Sequence, residues 1–412
     1  MEDKTISKIN AINDYINLNI ENNSNISLCN GIGSLPVFYY LQYKLTNEEE
    51  YLTKIHDAIS KIIEIINETD VLLSYCNGLV GVAHVFDYIK NKNILNSESL
   101  LDVEDALLTI DEGVADYYIN HTRIIEDIDF LHGTFGAAFY LIERFTNNKN
   151  FLLKEKLIQL FEILAVIVLA DIEKTNSVKD LYNTTEDTHV TNCGLAHGHI
   201  SYIIIFSKFL KQIPENNLIR ETLNKSVNCV LEFESNNENN LSQFPSIATN
   251  KITAHYNTNL GWCYGDQTIS LGLYKASCIL NDKALKEKAL ALAYKNLQRN
   301  TFEKMFSSSN GYDACFCHGL SSIAYIHKKW YLISKDEKFY HEYEKLTSAV
   351  LKFGENEKGI AGYQKYQGNG TYIDSIGLLD GVIGIGMVLI DYLLEFDDCG
   401  WDNLFLLDVN NN

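Results

Sequence analysis

The sequence has 412 residues and a formal net charge of −20, from 54 acidic against 34 basic side chains. A hydrophobic content of 46% excludes wholesale disorder, and the three prolines in the chain indicate a mostly helical protein. The acidic surface would repel a phosphate backbone, so we expect no nucleic-acid binding.

Three further features concern the setting of the chain. The first residues lack a positive segment followed by an apolar one, so we expect no signal peptide. The longest apolar stretch, residues 376–396, is interrupted by Asp380 and Asp391, which favours a packed helix over a membrane span. The nine cysteines lack the dense spacing of a secreted scaffold, so we interpret them as reduced thiols in a cytoplasmic protein.

Along the chain, one pattern recurs about every 58 residues: a small-residue step, Gly-x-x-Gly or Gly-x-x-Ser/Thr, opens an apolar helical run. The seven copies, numbered one to seven, begin at Gly31, Gly78, Gly133, Gly198, Gly265, Gly319 and Gly381. Small residues one turn apart allow neighbouring helices to approach closely. Each copy therefore predicts one closely packed, apolar inner helix.

Amphipathic segments lie between these runs, with apolar residues spaced by three and four. Examples are residues 48–66, 218–232, 282–297 and 336–353, and residues 4–18 supply the first such helix. Seven helical hairpins give about fourteen helices. The end copies are as apolar as the middle ones, whereas an open solenoid needs polar caps. We therefore predict an all-α protein with an α/α toroid, built as a single domain over residues 1–412.

The two residues before each repeat glycine include chemically active side chains. In a ring, equivalent positions of successive copies face the same end of the cavity. Cys263 precedes copy five, and Cys317 and His318 precede copy six, so these three side chains can converge. Any one of these cysteines could simply pack at a helix end. Two thiolates and one imidazole, however, form a zinc ligand set with an open fourth position.

Other candidates are histidines and a carboxylate. His197 precedes copy four and can exchange protons near neutral pH, and Asp129 at the start of copy three could orient it across the cavity. Each has a structural alternative, a loop histidine and a helix cap. His132 and His199 are weaker candidates. Cys29 and Cys76 share the repeat position but lack an adjacent histidine, so we interpret them as packing residues on the far side of the ring.

Three of these motifs, in this order along the chain, resemble those of the LanC lanthionine synthetase (lantibiotic cyclase) family. They are LAHG at residues 195–198, GWCYG at 261–265 and CHG at 317–319, and the repeats extend the resemblance over residues 5–396. The resemblance implies a double α/α toroid of seven outer and seven inner helices, with one Zn²⁺ at an end of the cavity.

The resemblance also implies an activity. Such enzymes add cysteine thiols of a dehydrated precursor peptide to dehydroalanine or dehydrobutyrine, which forms lanthionine or methyllanthionine rings. It makes Cys263, Cys317 and His318 the zinc ligands, His197 and Asp129 the acid–base pair, and Tyr264 a cavity residue near the metal. It further suggests association with a dehydratase and an exporter at the inner face of the membrane.

One position departs from the family pattern. The family usually carries an arginine four residues before the motif cysteine, and this chain has Asn259 there; Lys251 and His255 in the nearby loop are out of register. The change puts orientation of the acid–base groups, or stabilisation of the enolate, in doubt. The metal trio is unaffected by it.

Three alternatives stay open at this stage. A LanC-like enzyme could add glutathione or another small thiol to dehydroamino acids instead of closing a ring. A non-catalytic, zinc-containing scaffold could hold a peptide or a dehydratase. A carbohydrate-active toroid would need paired carboxylates, such as Asp129 and Asp266, but would leave the Cys-Cys-His trio unexplained.

Overall fold

The computed structural model describes residues 1–20, 23–148, 153–180, 191–248, 256–395 and 399–409, without the side chains of residues 176–180. This part of the chain is almost entirely helical. Its α-helices are α1 Glu2–Asn19, α2 Leu35–Thr46, α3 Glu50–Glu68, α4 Leu79–Lys90, α5 Ser97–His121, α6 Thr134–Asn147, α7 Lys154–Asp180, α8 His199–Gln212, α9 Asn217–Leu231, α10 Asp266–Leu280, α11 Lys283–Asn296, α12 Phe302–Met305, α13 Leu320–Ser334, α14 Glu337–Phe353 and α15 Val382–Leu393.

The remaining regular elements are short. Three 3-10 helices span Ile32–Ser34, Ile125–Ile128 and Trp401–Phe405. The strands are β1 Thr191–Asn192, β2 Ile247–Ala248, β3 Lys365–Tyr366 and β4 Tyr372–Ile373. β1 pairs with β2, and β3 pairs with β4. Each pair is a short antiparallel ladder of two residues per strand.

The repeat glycines mark the starts of the inner helices, as the sequence predicts. Six helices begin at the next residue, and α2 follows Gly31 after one turn of 3-10 helix. Among the seven glycines, only Gly265 has a positive φ, of 105°. A Cβ there would lie 2.3 Å from the carbonyl oxygen of Asn259. Both constraints require glycine at this position, directly after the motif cysteine and tyrosine.

The predicted amphipathic segments are also helices. They correspond to α1, α3, α9, α11 and α14. With α5 and α7 they make seven helices, one for each of the seven inner helices. The remaining helix, α12, is a single short turn. α3 buries one face only, including Ile55, Ile59 and Ile62. In α15, by contrast, every residue from Val382 to Asp391 is buried. The sequence thus distinguishes the two helix classes correctly.

The chain packs as two compact units, and unit 1 contains the described parts of residues 1–114 and 310–412. In it α15, the last inner helix, packs against both α1 and α2, and α13 packs against α14 and α15. Buried ion pairs of Lys328 with Asp391 in α15, and of Lys329 with Asp402 in the 3-10 helix that follows, hold these two elements against α13. The first and last copies of the repeat are therefore neighbours within unit 1.

Unit 2 contains the described parts of residues 115–309. α8 packs against α6, α9 and α10, and α7 packs against α6 and α9. These contacts place the inner helices of copies four and five side by side. The single domain over residues 1–412 stays a prediction.

A buried carboxylate supports the loop that leads to Cys263 in unit 2. Asp266, the first residue of α10, accepts backbone N–H bonds from Gln243 and Phe244 at 2.7 and 3.1 Å. Arg299 donates to the carbonyl oxygens of Thr258 and Lys304. Burial raises the pKa of Asp266 to about 6 against the opposing effects of these N–H bonds and of Arg299. Asp266 is therefore a structural group, which removes it from the carboxylate pair of a carbohydrate-active site.

This raised pKa predicts a pH-dependent stability. Because the folded-state pKa lies above the unfolded value of about 3.9, the contribution of Asp266 to the free energy of unfolding falls as the pH rises from about 4 to about 6. Asp266→Asn removes this titration. We expect the stability advantage of the wild type over the variant to shrink by up to about 3 kcal/mol across this range. Urea unfolding at pH 4.5 and pH 7 measures it, and an advantage that stays constant would contradict the assignment.

Candidate functional site

The turns before the inner helices are joined to each other by backbone hydrogen bonds in unit 1. The N–H of Cys29 donates to the carbonyl of Cys76 (3.1 Å), that of Leu379 to Cys29 (3.0 Å) and that of Cys317 to Leu379 (2.7 Å). All four residues stand two positions before a repeat glycine. Equivalent positions of copies two, one, seven and six therefore lie side by side, as expected for successive copies.

The same order places Cys29. Copy seven separates its turn from that of Cys317, so Cys29 lies two copies away from Cys317, and its place on the far side of the ring stays a prediction. Cys29 is fully buried and Cys76 nearly so. Burial, together with the neighbouring Cys76, raises the pKa of Cys29 well above its ordinary value. Cys29 is therefore a neutral thiol, which fits the interpretation as a packing residue.

In unit 2 the turn that carries Cys263 is fastened to the turn that carries His197. The N–H groups of Leu195 and Ala196 both donate to the carbonyl oxygen of Cys263, at 3.0 and 3.1 Å. A Cβ on Gly194 would lie 2.3 Å from the ring of Tyr264, so only glycine permits this packing. Two neighbouring turns thereby fix the backbones of Cys263, Tyr264 and His197 relative to one another.

His197 and Asp129 form a direct contact in unit 2. His197 Nδ1 lies 2.8 Å from Asp129 Oδ2, and the side chains are 35% and 22% exposed. The other carboxylate oxygen of Asp129 accepts the backbone N–H of His132 at 2.7 Å. With its proton on Nδ1, His197 donates to a carboxylate that the local turn already holds, which leaves Nε2 for proton exchange. The predicted pairing of the two residues is thus present.

A pocket of about 360 Å³ opens beside this pair. Its wall includes Asn192, whose amide donates to the hydroxyl of Tyr264 at 3.3 Å. The ring centroids of Tyr264 and His197 are 6.4 Å apart. Deeper in the wall, His199 Nε2 lies 3.4 Å from Asp171 Oδ2, and both side chains are buried. His199 is thus a buried wall residue, while His197 is open to the pocket.

Cys317 and His318 lie in unit 1, in the turn before α13. His318 has a carboxylate near each ring nitrogen: Asp313 Oδ2 is 3.6 Å from Nε2, and Asp380 Oδ1 is 4.0 Å from Nδ1. Asp313 is fixed by the backbone N–H groups of Cys315 and Tyr366. A carboxylate beside one ring nitrogen orients a histidine whose other nitrogen binds a metal.

The electrostatics of this turn follow from the same contacts. Burial lowers the pKa of His318, but its hydrogen bonds and charge interactions with Asp313 and Cys317 outweigh burial and raise it to about 11. Burial raises the pKa of Asp313, but His318 together with the backbone N–H bonds from Tyr366 and Cys315 outweighs that effect and lowers it. Lys365 on β3 pairs with Asp380 at 2.5 Å, which adds a positive charge near the turn. The turn is therefore a partly buried cluster of mutually dependent charges.

The comparisons with known proteins agree with this architecture. A family model described as Lanthionine synthetase C-like protein matches residues 23–406. The chain belongs to this family. No curated protein matches the chain.

Among solved structures, a protein titled Nisin cyclase matches with a TM-score of 0.72 and 17% sequence identity, over 99% of this chain and 98% of that chain. This match confirms the predicted fold class, all-α with a double α/α toroid. A family 105 glycoside hydrolase from C. acetobutylicum ATCC 824 matches with 13% identity over 72% of this chain and 85% of that chain, at a TM-score of 0.38, too low to indicate a shared fold.

Membership of the LanC-like family supports a cyclase-type activity of the lanthionine synthetase kind. The described residues offer candidate metal-ligating cysteine and histidine side chains in both units. Cys317 and His318 lie in unit 1, and Cys263 and the His197–Asp129 pair in unit 2. None of the described helices combines the length and apolar character that a membrane crossing requires.

Asn259 occupies the position where the LanC-like family usually has arginine. Its side-chain oxygen accepts hydrogen bonds from the N–H and hydroxyl of Ser308, at 2.8 and 2.9 Å. Asn259 thus fastens the loop after α12 to the loop before Cys263. The out-of-register Lys251 and His255 lie outside the described residues.

Several polar residues in the turns before the inner helices were not singled out from the sequence. Asp313 and Asn192 both stand six residues before a repeat glycine, as do Asp127 and Asn259. In each turn an oxygen atom of this residue leaves no room for a Cβ on that glycine. Alignment of the copies at this position would have singled out Asp313 as a partner for His318. Asp380 and Lys365 give no such signal, because loops of unrelated length bring them to the turn.

Proposed function

We propose that the protein is a zinc-dependent cyclase. It adds cysteine thiols of a dehydrated precursor peptide to dehydroalanine or dehydrobutyrine and forms lanthionine or methyllanthionine rings. The observation that carries the proposal is the His197–Asp129 contact of 2.8 Å, in a turn bonded to that of Cys263. The reaction needs an acid at this kind of position, open to a pocket and oriented by a carboxylate.

In the proposal, Cys263, Cys317 and His318 would hold one Zn²⁺. The donor set fits this metal, since two thiols and an imidazole are soft and borderline ligands that leave a fourth position open. The carboxylate of Asp313, 3.6 Å from Nε2 of His318, supports a ligand role for the other ring nitrogen. When bound, zinc would lower the pKa of a peptide thiol, so that the nucleophilic thiolate is available at neutral pH.

The remaining chemistry is a proton balance. The peptide sulfur forms a bond with the β-carbon of the dehydroamino acid, and the electron pair of the C=C double bond moves towards the α-carbon and its carbonyl. His197 then donates a proton to the α-carbon, and the thiol proton is released, so the mass of the peptide is unchanged. Asp129 stabilises the protonated ring of His197 and holds its orientation. Tyr264 lies beside these groups, with its ring centroid 6.4 Å from that of His197.

The partners and setting follow from the same proposal. The net charge of −20 suits a cationic precursor peptide and repels nucleic acid. Association with a dehydratase and an exporter, and a cytoplasmic location that includes the inner membrane face, stay predictions.

The test uses a dehydrated peptide that contains one cysteine and one dehydrobutyrine. The protein is incubated with this peptide, with and without glutathione, and free thiols are then alkylated before mass spectrometry. The proposal expects loss of alkylation at unchanged peptide mass, faster than in a sample without protein. A mass raised by that of glutathione would instead indicate the small-thiol enzyme. Ring closure at the rate of the sample without protein, in zinc-loaded protein that binds the peptide, would leave the scaffold interpretation.

A further inference from the structure

A second group of metal-ligating side chains lies in unit 2, apart from the Cys-Cys-His trio. Asp129, His132 and His197 each offer one ligand atom, and these atoms all lie within 4.8 Å of one another. The rings of His132 and His197 are nearly parallel, with 19° between their planes and 5.8 Å between their centroids. Three donors of this type, two imidazoles and a carboxylate, form a ligand set for a divalent transition metal.

We propose that Asp129, His132 and His197 form a second metal site, which takes Zn²⁺ or a similar divalent ion more weakly than the trio. Ligand atoms around a tetrahedral zinc are about 3.4 Å apart, so modest side-chain rotations would close the present spacing. The backbone favours this, because Asp129 and His132 flank one tight turn: the His132 N–H donates to Asp129 Oδ1, and the Gly133 N–H donates to the Asp129 carbonyl.

Access and charge also favour a bound cation. His132 is exposed, and Asp129 and His197 are partly exposed beside the pocket, so an ion can reach all three from solvent. The surrounding protein carries a net charge of −20. A site with three protein ligands and open positions binds water as well, which is typical of an exchangeable rather than a structural metal.

The site has a consequence that rests on the proposed function. A metal at this site binds His197, which is the proton donor of the proposed reaction. It also binds Asp129, the carboxylate that orients the ring of His197. Excess Zn²⁺ is therefore inhibitory, while Zn²⁺ at the trio is required. The protein would therefore be active only at Zn²⁺ concentrations that fill the trio but leave the second site empty.

Titration with Co²⁺ tests the site, because a thiolate ligand gives an intense near-ultraviolet charge-transfer band that nitrogen and oxygen ligands do not give. Metal-free wild type should bind two ions, the first with this band and the second without it. His132→Ala should bind the first normally and the second at least about tenfold more weakly. His132 is exposed and holds Asp129 through its backbone N–H, so this variant should keep the turn. Cys317→Ala should retain only the second ion.

His341→Ala is the matched control, since His341 is an exposed histidine 3.7 Å from a single carboxylate, Glu344. It should bind both ions as the wild type does. A second ion that binds equally well to wild type and His132→Ala would overturn the proposal, as would wild type that binds only one. These readouts do not depend on ring closure. Failure of the proposed cyclase would show separately, as an inactive protein with both metal sites intact.

Discussion

Replacing Cys317 with alanine is expected to reduce the tightly bound zinc from about one ion per chain to almost none. The variant leaves one thiolate and one imidazole, and this pair holds the metal far more weakly than three ligands do. Ring closure should fall to the rate of the peptide alone, because the peptide thiol then keeps its ordinary pKa of about 8.5. Zinc is measured by atomic emission after gel filtration in metal-free buffer, which removes weakly bound ions.

The control for this experiment is Cys278→Ala. Cys278 is an exposed thiol on α10, which also begins in the turn of Cys263, but it lies outside the trio. Its removal should leave both the zinc content and the rate unchanged. Full zinc in the Cys317→Ala variant would show that the trio does not hold the metal. Absence of zinc from the wild type and the Cys317→Ala variant alike, even after loading with excess metal, would contradict the zinc-dependent cyclase.

The helical architecture could be predicted from the sequence because it depends on a local, repeated signal. A glycine must begin each inner helix where its Cα touches the preceding turn, and Gly265 shows the constraint most clearly. The apolar run that follows, as in α15, has no polar face. Both features recur seven times along the chain, so the prediction of the inner helices does not depend on any single segment.

The site was only partly predictable, for a physical reason. The pairing of His197 with Asp129 follows from the repeat register, since both lie in turns before inner helices. Lys365, by contrast, reaches Asp380 from strand β3, in the connection between α14 and α15, whose length and course no repeat constrains. The contacts of α15 with α1 and α2 could be expected from the predicted ring, since they join the last copy of the repeat to the first.

His197→Ala is expected to lower the rate of ring closure by about 10²- to 10⁴-fold while the content of tightly bound zinc and the peptide affinity stay at wild-type values. His197 donates the proton to the α-carbon in the proposal, but it is neither a ligand of the trio nor the main contact surface of the pocket. The measurement combines the alkylation assay, zinc analysis and peptide binding by fluorescence anisotropy. His121→Ala, which removes an exposed histidine at the end of α5, should behave as the wild type does.

The role of Asp129 can be separated from that of His197 by a double-mutant cycle. Asp129→Asn removes the charge that stabilises protonated His197, so we expect a smaller loss of rate than in His197→Ala. Because Asp129 acts only through His197, the double variant should be no slower than His197→Ala alone. Additive losses would mean that Asp129 has an independent role, such as contact with the peptide. A wild-type rate in His197→Ala would instead show that the proton comes from another group or from water.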